Sequence, residues 1–547
     1  MLKSNKRLTG WLINDLDKLK NFGPVLLWVA VIITATLYAA IKTMIFNDAD
    51  ILYEAGDSAG DALQVRIGLS NGWFTTGHHT DTGVAHPGPF SLWVKAAAEL
   101  MAPLFGVKTL WMSVVLFSAI KALAVTTAGA AVGKVLGSKA AGFSFIVIAF
   151  SGEWIKISDP VGVGMQTIGI WLVIASAATS LTALRGAMGF LPIAIFATGA
   201  AMHAHTTIFP AASAVFLMLT VLLLQQFHQR ARVKWLSLVI WIIFVTPLII
   251  RVFVEPGWPL NYKKAMENRK NATSEMFYPR ERFELLGERM ELSTNNSILA
   301  LIIVVIVATV AIILFKKWRL AITSFIIFGI WAIATALLSP QNQQFATELY
   351  WITGWWAFCV SLGGAVIVAL LLRVLPKIAS PLAASAAVGM IFASVGVTFA
   401  AQISGTVGVD GSYVSELAGI VEKRADGKKI GVIIDRDWLA VEMGLILELD
   451  RRGGNFCVIV PKSRFTGDQE LKQFISTKML CPTKPEGEEL VVSSQNDESE
   501  VKDIWYRQVS KPLSTVMKPN FVAGSPNCDP REVNEYPRCG KKADENI

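Results

Sequence analysis

Runs of roughly 20 apolar residues recur along the chain as far as residue 402, and this repetition constrains the fold more than any other feature. Only 17% of the residues are charged, whereas ordinary soluble domains carry about 25%. A chain can bury so many apolar runs by crossing a bilayer repeatedly as α-helices. The sequence therefore predicts a polytopic α-helical membrane protein.

About eleven membrane spans are predicted, with ends defined to within several residues. They are 25–45, 109–132, 140–152, 163–184, 187–203, 207–227, 235–254, 297–315, 320–339, 352–372 and 378–402. If the N-terminus is cytoplasmic, every short basic loop lies inside, as the positive-inside rule requires. The net charge of +8 then reflects membrane topology, and nucleic-acid binding is not expected.

Three regions follow from this topology. Residues 1–24 are interpreted as a retained cytoplasmic tail, because they are basic but lack the compact apolar core and cleavage site of a signal peptide. Residues 25–402 form the transmembrane domain, which includes a long polar outer loop at 46–108. An odd number of spans places residues 403–547 outside the cytoplasm.

The C-terminal region alternates helical and strand patterns, which predicts an extracytoplasmic α/β domain with a partly parallel sheet. Helices are expected near 412–424, 439–452 and 469–477, and strands near 430–434, 457–460 and 490–492. The sequence contains no glycine-rich nucleotide-binding motif, so no nucleotide site is expected in this domain.

The cysteines give a second argument for this topology. Cys359 lies in an apolar run and is expected to be a small buried residue, whereas the other four fall in the C-terminal region, at Cys457, Cys481, Cys528 and Cys539. An even set within one domain predicts two disulfides and an oxidising compartment. Among the three possible pairings, the sequence neighbours 457–481 and 528–539 are favoured. A zinc site is the alternative, although no CxxC spacing supports it.

The outer loop at 46–108 concentrates residues capable of chemistry. Asp57 opens a predicted amphipathic helix that ends near residue 69, and Asp61 follows one turn later. A second interfacial helix is predicted over 90–105, with Trp93 and Lys95 suited to the headgroup zone. The two helices are expected to lie on the membrane with their polar face toward water or a cleft.

Asp57 is the first candidate for a general base, which would take a proton from an attacking hydroxyl. The alternative is that Asp57 caps the helix, a role that would not exclude catalysis. Asp61 is a candidate substrate-binding residue. Asp57 and Asp61 together would also suit a divalent cation, so a cation is possible but no cofactor is certain.

The turn between the two helices carries three of the chain's six histidines, His78, His79 and His86, and Arg66 precedes it. They are candidate donors to a phosphate or to sugar hydroxyls. Their spacing matches no common zinc motif, and no metal ligand is assigned. Alternatively, the HPGP sequence is a rigid turn that starts the second helix, with His86 as its polar cap.

Further candidate substrate-binding residues occur at the outer ends of other predicted spans. They are Glu153, Asp159, His203, His205, Arg280, Arg282 and Glu348. Acids at a membrane edge are costly unless they line a cavity, and outside arginines suit an anionic lipid phosphate. The alternatives are solvated loops for the charged residues and, for the histidines, burial with a backbone partner.

The first outer loop, GDSAGDALQVRIG…TTG…HPGPFSLW…LFG, resembles that of GT-C superfamily glycosyltransferases, and more narrowly that of a bacterial group of such membrane proteins. The match covers about residues 50–135. The resemblance implies a polyprenyl-phosphate-linked sugar donor, an inverting transfer and a base aspartate, which falls on Asp57. It also implies a multi-pass protein of the bacterial inner membrane. The acceptor would be a cell-envelope glycan, lipid or protein. The Asp-Asp or Asp-x-Asp pair common in better-known relatives is absent, which leaves metal dependence open.

Two other classes of function remain open. A transporter or flippase of lipid-linked sugars would place ionisable residues within spans, whereas the charges identified here lie at span ends and in outer loops. An outer-face acyltransferase or phosphotransferase would use His79 or His86 instead of a carboxylate. Loss of activity on substitution of Asp57 would separate the glycosyltransferase from these alternatives.

Overall fold

The computed structural model describes part of the chain. The described parts are Glu54, Gly257 and residues 56–71, 77–78, 85–150, 165–206, 208–225, 231–254, 350–374, 412–425, 429–433, 439–459 and 490–492. The membrane-region helices are α1 (Gly56–Asn71), α2 (Phe90–Phe105), α3 (Thr109–Leu136), α4 (Lys139–Phe150), α5 (Met165–Leu184), α6 (Leu191–Ala204), α7 (Phe209–Gln225), α8 (Ala231–Val254) and α9 (Tyr350–Val374).

Among the described residues, three helices are long and apolar enough to cross a membrane by length and composition. They cover Thr109–Leu136, Thr167–Leu184 and Val233–Val254. These helices agree with the predicted spans at 109–132, 163–184 and 235–254. Shorter apolar helices coincide with the predicted spans at 140–152, 187–203 and 207–227. The predicted spans at 25–45, 297–315, 320–339 and 378–402 lie outside the described residues. The total of about eleven spans therefore stays a prediction.

Helix α5 lies at the centre of the described bundle and packs against α3, α6 and α9. Hydroxyl groups join these helices where apolar side chains surround them. Ser176 Oγ lies 2.6 Å from Thr198 Oγ1 of α6, and Thr182 Oγ1 donates to the carbonyl oxygen of Ala131 in α3 at 3.2 Å. Such interhelical hydrogen bonds are a common means of association between helices without a hydrophobic driving force.

Small residues let the short helix α4 approach α3 closely. A Cβ atom at Gly142 would lie 2.6 Å from the carbonyl oxygen of Gly129. Larger residues at this crossing would therefore separate the two backbones. The contact explains how α4, which has only 12 residues, is held within the bundle.

Helix α2 begins directly after HPGP and ends at Gly106, whose φ of +65° closes the helix in the left-handed conformation. Its last turn exposes large apolar side chains, with Leu104 81% and Phe105 63% exposed. An exposed apolar end on a helix that leads into a long apolar helix suits the predicted membrane interface.

The C-terminal region contains helix α10 (Ser412–Ala425), strand β1 (Ile430–Ile433), helix α11 (Leu439–Arg451) and strands β2 (Phe456–Ile459) and β3 (Leu490–Val492). The strand order is β2-β1-β3, and both pairings are parallel. These elements agree with the predicted α/β pattern. The helix expected at 469–477 and the proposed domain boundaries lie outside the described residues.

Candidate functional site

The outer loop folds back on itself so that α1 and α2 pack side by side. A small apolar cluster of Val65, Leu92 and Ala96 lies between them. Contrary to the expectation of a polar face toward water or a cleft, Asp61 and Gln64 are buried. Polar partners within the loop replace the hydrogen bonds of water for the Asp61 carboxylate and for Gln64 Nε2.

Asp61 lies at the centre of a buried ionic cluster. One carboxylate oxygen contacts His78 Nδ1, and the other accepts a hydrogen bond from Lys95 Nζ. Burial by itself raises the pKa of a carboxyl group. Here the charges and hydrogen bonds of His78 and Lys95 outweigh it and hold the pKa of Asp61 well below its usual range. Asp61 therefore stays ionised and engaged by both partners, which makes it a poor proton acceptor.

Lys95 corrects one expectation from the sequence. It was placed in the headgroup zone, but its side chain is only 4% exposed. A lysine at the end of an apolar turn normally extends its ammonium group to the membrane surface. Here a buried carboxylate lies within reach, so the ammonium group gains an ionic partner instead of water.

Lowering the pH below about 4 is expected to destabilise the packing of α1 against α2. Since the folded pKa of Asp61 is depressed, its ion pairs stabilise the fold fully above the unfolded pKa and progressively less as the pH falls toward the folded pKa. An Asp61→Asn variant gains no proton at this position and should show a shallower loss. Thermal unfolding of both proteins from about pH 6 to about pH 3 measures the difference, and equal slopes would contradict it.

Backbone hydrogen bonds hold the described parts of the turn together. The N–H group of Gly77 donates to the carbonyl oxygen of His86 at 3.1 Å. The N–H group of His86 donates in turn to the carbonyl oxygen of His78 at 2.7 Å. From α1, Gln64 Nε2 donates to the carbonyl oxygen of Gly77 at 2.9 Å. These bonds place His78 and His86 on adjacent segments, with ring centroids 5.9 Å apart.

His86 joins the outer loop to the end of α6. Its Nδ1 accepts a hydrogen bond from the N–H group of Thr206 at 3.0 Å, and its ring centroid lies 4.4 Å from that of His205. Because Nδ1 is the acceptor, the proton of a neutral ring lies on Nε2. The alternative that HPGP is a rigid turn before α2 agrees with the structure. The proposed capping role of His86 does not, because no side chain caps this helix.

Arg251 of α8 was not identified from the sequence, although it fixes the same turn. Its side chain is buried, and Nη1 donates to the carbonyl oxygens of Ala85 and His86 at 3.3 and 2.9 Å. A charged residue in an apolar helix normally needs a polar partner, and here the two carbonyl oxygens of the turn provide it. The only signal in the sequence was one arginine in the run TPLIIRVFV.

His203 has the backbone partner that the alternative interpretation predicts. Its Nε2–H group donates to the carbonyl oxygen of Phe244 at 2.8 Å, and the two rings meet edge to face. His203 also lies against Gly88 of the HPGP turn. Its described contacts therefore position the turn, whereas His205 extends the cluster around His86.

A Gly88→Ala substitution is expected to destabilise the protein by about 1–3 kcal/mol, because overpacking forces a rearrangement. The new Cβ atom would lie 2.2 Å from Cγ of His203, which is held by its bond to Phe244. Gly189→Ala is the matched control, since a Cβ atom there meets nothing within 4 Å. Thermal unfolding measures both variants, and equal midpoints would show that the contact with His203 is unimportant.

Arg66 was predicted to bind phosphate, but its described contacts are structural. Its guanidinium group pairs with Glu99 of α2 at 2.6 Å and with Asp450 of α11. The guanidinium group predicted to bind a phosphate is thus already paired with two carboxylates. We therefore assign Arg66 to the contact between the outer loop and the C-terminal helix.

Lys121 is a charged residue within a helix that is long and apolar enough to cross a membrane. It lies near the middle of α3, and its Nζ is 4.3 Å from the centroid of the Trp171 ring in α5. The expectation that spans carry charges only at their ends is therefore wrong at this position. An ionisable residue within a span is typical of functional sites in general, so the transporter alternative has to be separated by experiment.

Several predicted positions lie outside the described residues or lack a described side chain. Asp57 is the second residue of α1, four residues before Asp61, and its side chain is not described. The candidates outside the described residues are His79, Glu153, Asp159, Arg280, Arg282 and Glu348. Their proposed roles remain predictions.

The cysteines are described in part. Cys457 of β2 is buried. Cys359 is a free thiol and is half-buried, whereas the sequence predicted a buried residue. The remaining cysteines, Cys481, Cys528 and Cys539, lie outside the described residues, so the pairing stays a prediction. Within the described residues, no group of three or more His, Cys, Asp or Glu side chains could hold a metal ion.

Comparisons with known proteins give a limited likeness. No family model matches the chain, and no curated protein matches it. Among solved structures, ArnT from Cupriavidus metallidurans bound to undecaprenyl phosphate is similar at 13% identity and a TM-score of 0.44, covering 83% of this chain and 88% of that chain. The apo state of the same protein gives 12% identity and a TM-score of 0.45, covering 83% and 89%. A likeness at this level leaves the function of this chain to be argued from its own residues.

Proposed function

We propose that this protein is an integral membrane glycosyltransferase that moves a sugar from a polyprenyl-phosphate donor to an acceptor outside the cytoplasm. The single observation that carries the proposal is the buried cluster of Asp61, His78 and Lys95. It joins α1, the histidine turn and α2 into one unit beside an apolar helical bundle. In the proposed function, this unit would provide the polar groups that meet the headgroup of a lipid-linked substrate.

The two acids of α1 then take different roles. Asp61 is held by two cationic or hydrogen-bonding partners, so the role of general base falls to Asp57. Asp57 lies in the first turn of the helix, where the helix dipole favours an ionised carboxylate. An ionised carboxylate can accept the proton of an acceptor hydroxyl.

The proposed transfer is a single displacement at the anomeric carbon. Asp57 accepts the proton of the acceptor hydroxyl as that oxygen forms a bond to the sugar. The bond between the anomeric carbon and the phosphate oxygen breaks, and its electron pair leaves with the polyprenyl phosphate. Attack opposite to the leaving group inverts the anomeric configuration. The cations proposed to stabilise the leaving phosphate are His79, Arg280 and Arg282.

The lipid donor and the cellular location belong to the same proposal. Exposed apolar residues at the end of α2 support contact of this unit with lipid. The predicted disulfides of the C-terminal region would suit an oxidising compartment. We therefore place the protein in the bacterial inner membrane, with its N-terminus cytoplasmic and its C-terminal domain outside. Its acceptor would be an envelope glycan, lipid or protein.

The proposal is tested with the purified full-length protein in lipid nanodiscs and a panel of synthetic polyprenyl-phosphate sugars. Release of polyprenyl phosphate and formation of a product with inverted anomeric configuration are expected for one donor, with chelator deciding whether a cation is needed. Movement of intact donor across a vesicle bilayer without hydrolysis or transfer would favour a flippase. Consumption of an acyl donor alone would favour an acyltransferase.

A further inference from the structure

Helix α11 of the C-terminal region packs along α1, the helix that carries the proposed base. The contact is close where the chain enters α1. A Cβ atom at Gly444 would lie 2.9 Å from the carbonyl oxygen of Glu54 and 3.1 Å from Cγ1 of Val414. The backbone just before α1 therefore fits against a position of α11 that has no side chain.

Charged residues join the two helices near this contact. Arg451 of α11 pairs with Glu54 and, at 3.2 Å, with Glu99 of α2. Arg66 of α1 pairs with Glu99 at 2.6 Å and with Asp450. The two arginines and three carboxylates form one network, which we call the α1–α11 ion network. It connects the outer loop to the C-terminal region through residues more than 300 positions apart in the sequence.

Glu54 depends on Arg451 more than the other acids of the network do. Its side chain is only 2% exposed, and burial raises its pKa above the usual range. Arg451 provides the strongest opposing interaction, ahead of Lys95, while Glu99 adds repulsion. Without Arg451, the buried carboxyl group would be protonated or would move toward water, because an unpaired buried charge is strongly unfavourable.

We propose that Arg451 is a positioning residue, which acts through Glu54 to fix the first turn of α1 and thereby the position of Asp57. The proposal rests on the proposed function, in which Asp57 is the base. Glu54 lies three residues before Asp57. A displacement of about 1 Å at a reacting group can lower a rate about 10²-fold, so a shift of this turn is sufficient to affect transfer.

The matched control is Arg452, the next residue in the chain. It is exposed and pairs with Glu422 at 3.2 Å and Glu448 at 3.4 Å, both within the C-terminal region. Arg452→Gln removes the same charge without touching the outer loop. Arg451→Gln is expected to lower kcat by about 10-fold to 10²-fold with little change in KM, whereas Arg452→Gln should leave both near wild type.

Three further measurements distinguish positioning from general stabilisation. Arg451→Lys should restore part of kcat, because it keeps the charge. In a double-mutant cycle, Glu54→Gln and Arg451→Gln should be non-additive in kcat, because one acts through the other. Hydrogen–deuterium exchange should increase in α1 peptides of folded Arg451→Gln and remain unchanged in Arg452→Gln. If Arg451→Gln fails to fold, Glu54→Gln tests the same link from the other side.

The outcomes separate the two proposals. If wild-type protein transfers sugar and Arg451→Gln matches Arg452→Gln in kcat and exchange, the positioning role is overturned and the glycosyltransferase stands. Loss of folded protein with an unchanged kcat in the folded fraction also overturns it. If the wild-type protein transfers no sugar from any donor, the proposed function fails, and the positioning role fails with it.

Discussion

An Asp57→Asn variant is expected to lose sugar transfer by about 10²-fold to 10⁴-fold, the range over which a positioned general base contributes. An asparagine amide keeps the size and most hydrogen bonds of the side chain but cannot accept the proton of the acceptor hydroxyl. Because the change removes a step that occurs only in the transition state, kcat and kcat/KM should fall together. Donor binding should be preserved.

The control for Asp57→Asn is Glu422→Gln, a carboxylate-to-amide change in α10. Glu422 is 31% exposed and pairs with Arg452, within the C-terminal region. Turnover of both variants is measured with the donor that wild-type protein consumes, together with the thermal midpoint of each protein. Full activity of Asp57→Asn would contradict the base assignment and favour a histidine-dependent reaction through His79 or His86. A large fall in the midpoint would instead indicate a capping role for Asp57.

A Lys95→Met variant is expected to lose about 3–5 kcal/mol of stability, the effect of removing one partner from a buried ion pair. Methionine fills a similar volume, so the loss of packing is small. The effect arises because Asp61, with a side chain only 4% exposed, keeps a charge that His78 alone has to compensate. The unit of α1, turn and α2 should loosen before the remaining bundle.

The matched control is Lys139→Met, since Lys139 is an exposed lysine at the start of α4. Exposed substitutions of this kind usually change stability by less than about 0.5 kcal/mol. The double variant Asp61→Leu with Lys95→Met should recover much of the stability, because it leaves no unpaired carboxylate. Thermal midpoint and protease sensitivity between residues 72 and 84 report the change. A double variant as unstable as the sum of the single variants would disprove the pairing argument.

The sequence by itself determined where regular structure forms. The interfacial helix expected over 90–105 is Phe90–Phe105, and the first helix of the C-terminal region, expected over 412–424, is Ser412–Ala425. The parallel strands also occur where short apolar runs predicted them. These features could be predicted because hydrophobic periodicity, proline before a helix and glycine after it act over a few residues.

The candidate site could be predicted only in part. The sequence identified the loop, the histidines and the two acids of α1 as candidates, and the structure brings His78, His86 and His205 together. The sequence favoured Asp57 as the base but did not show that Asp61 is buried in ion pairs, and it missed the buried roles of Lys95 and Arg251. A lysine on an amphipathic helix has the same local pattern whether it extends to the membrane surface or meets a buried acid.

Only the tertiary structure decided which charges pair. Lys95 and Asp61 are 34 residues apart, and Arg66 meets Asp450 across 384 residues. Whether a charge is buried with a partner or stays in water depends on the difference between desolvation and ion pairing, and both depend on packing rather than on neighbours in the sequence. For the same physical reason, the ion pair between Arg451 of α11 and Glu54 just before α1 is decided by tertiary packing.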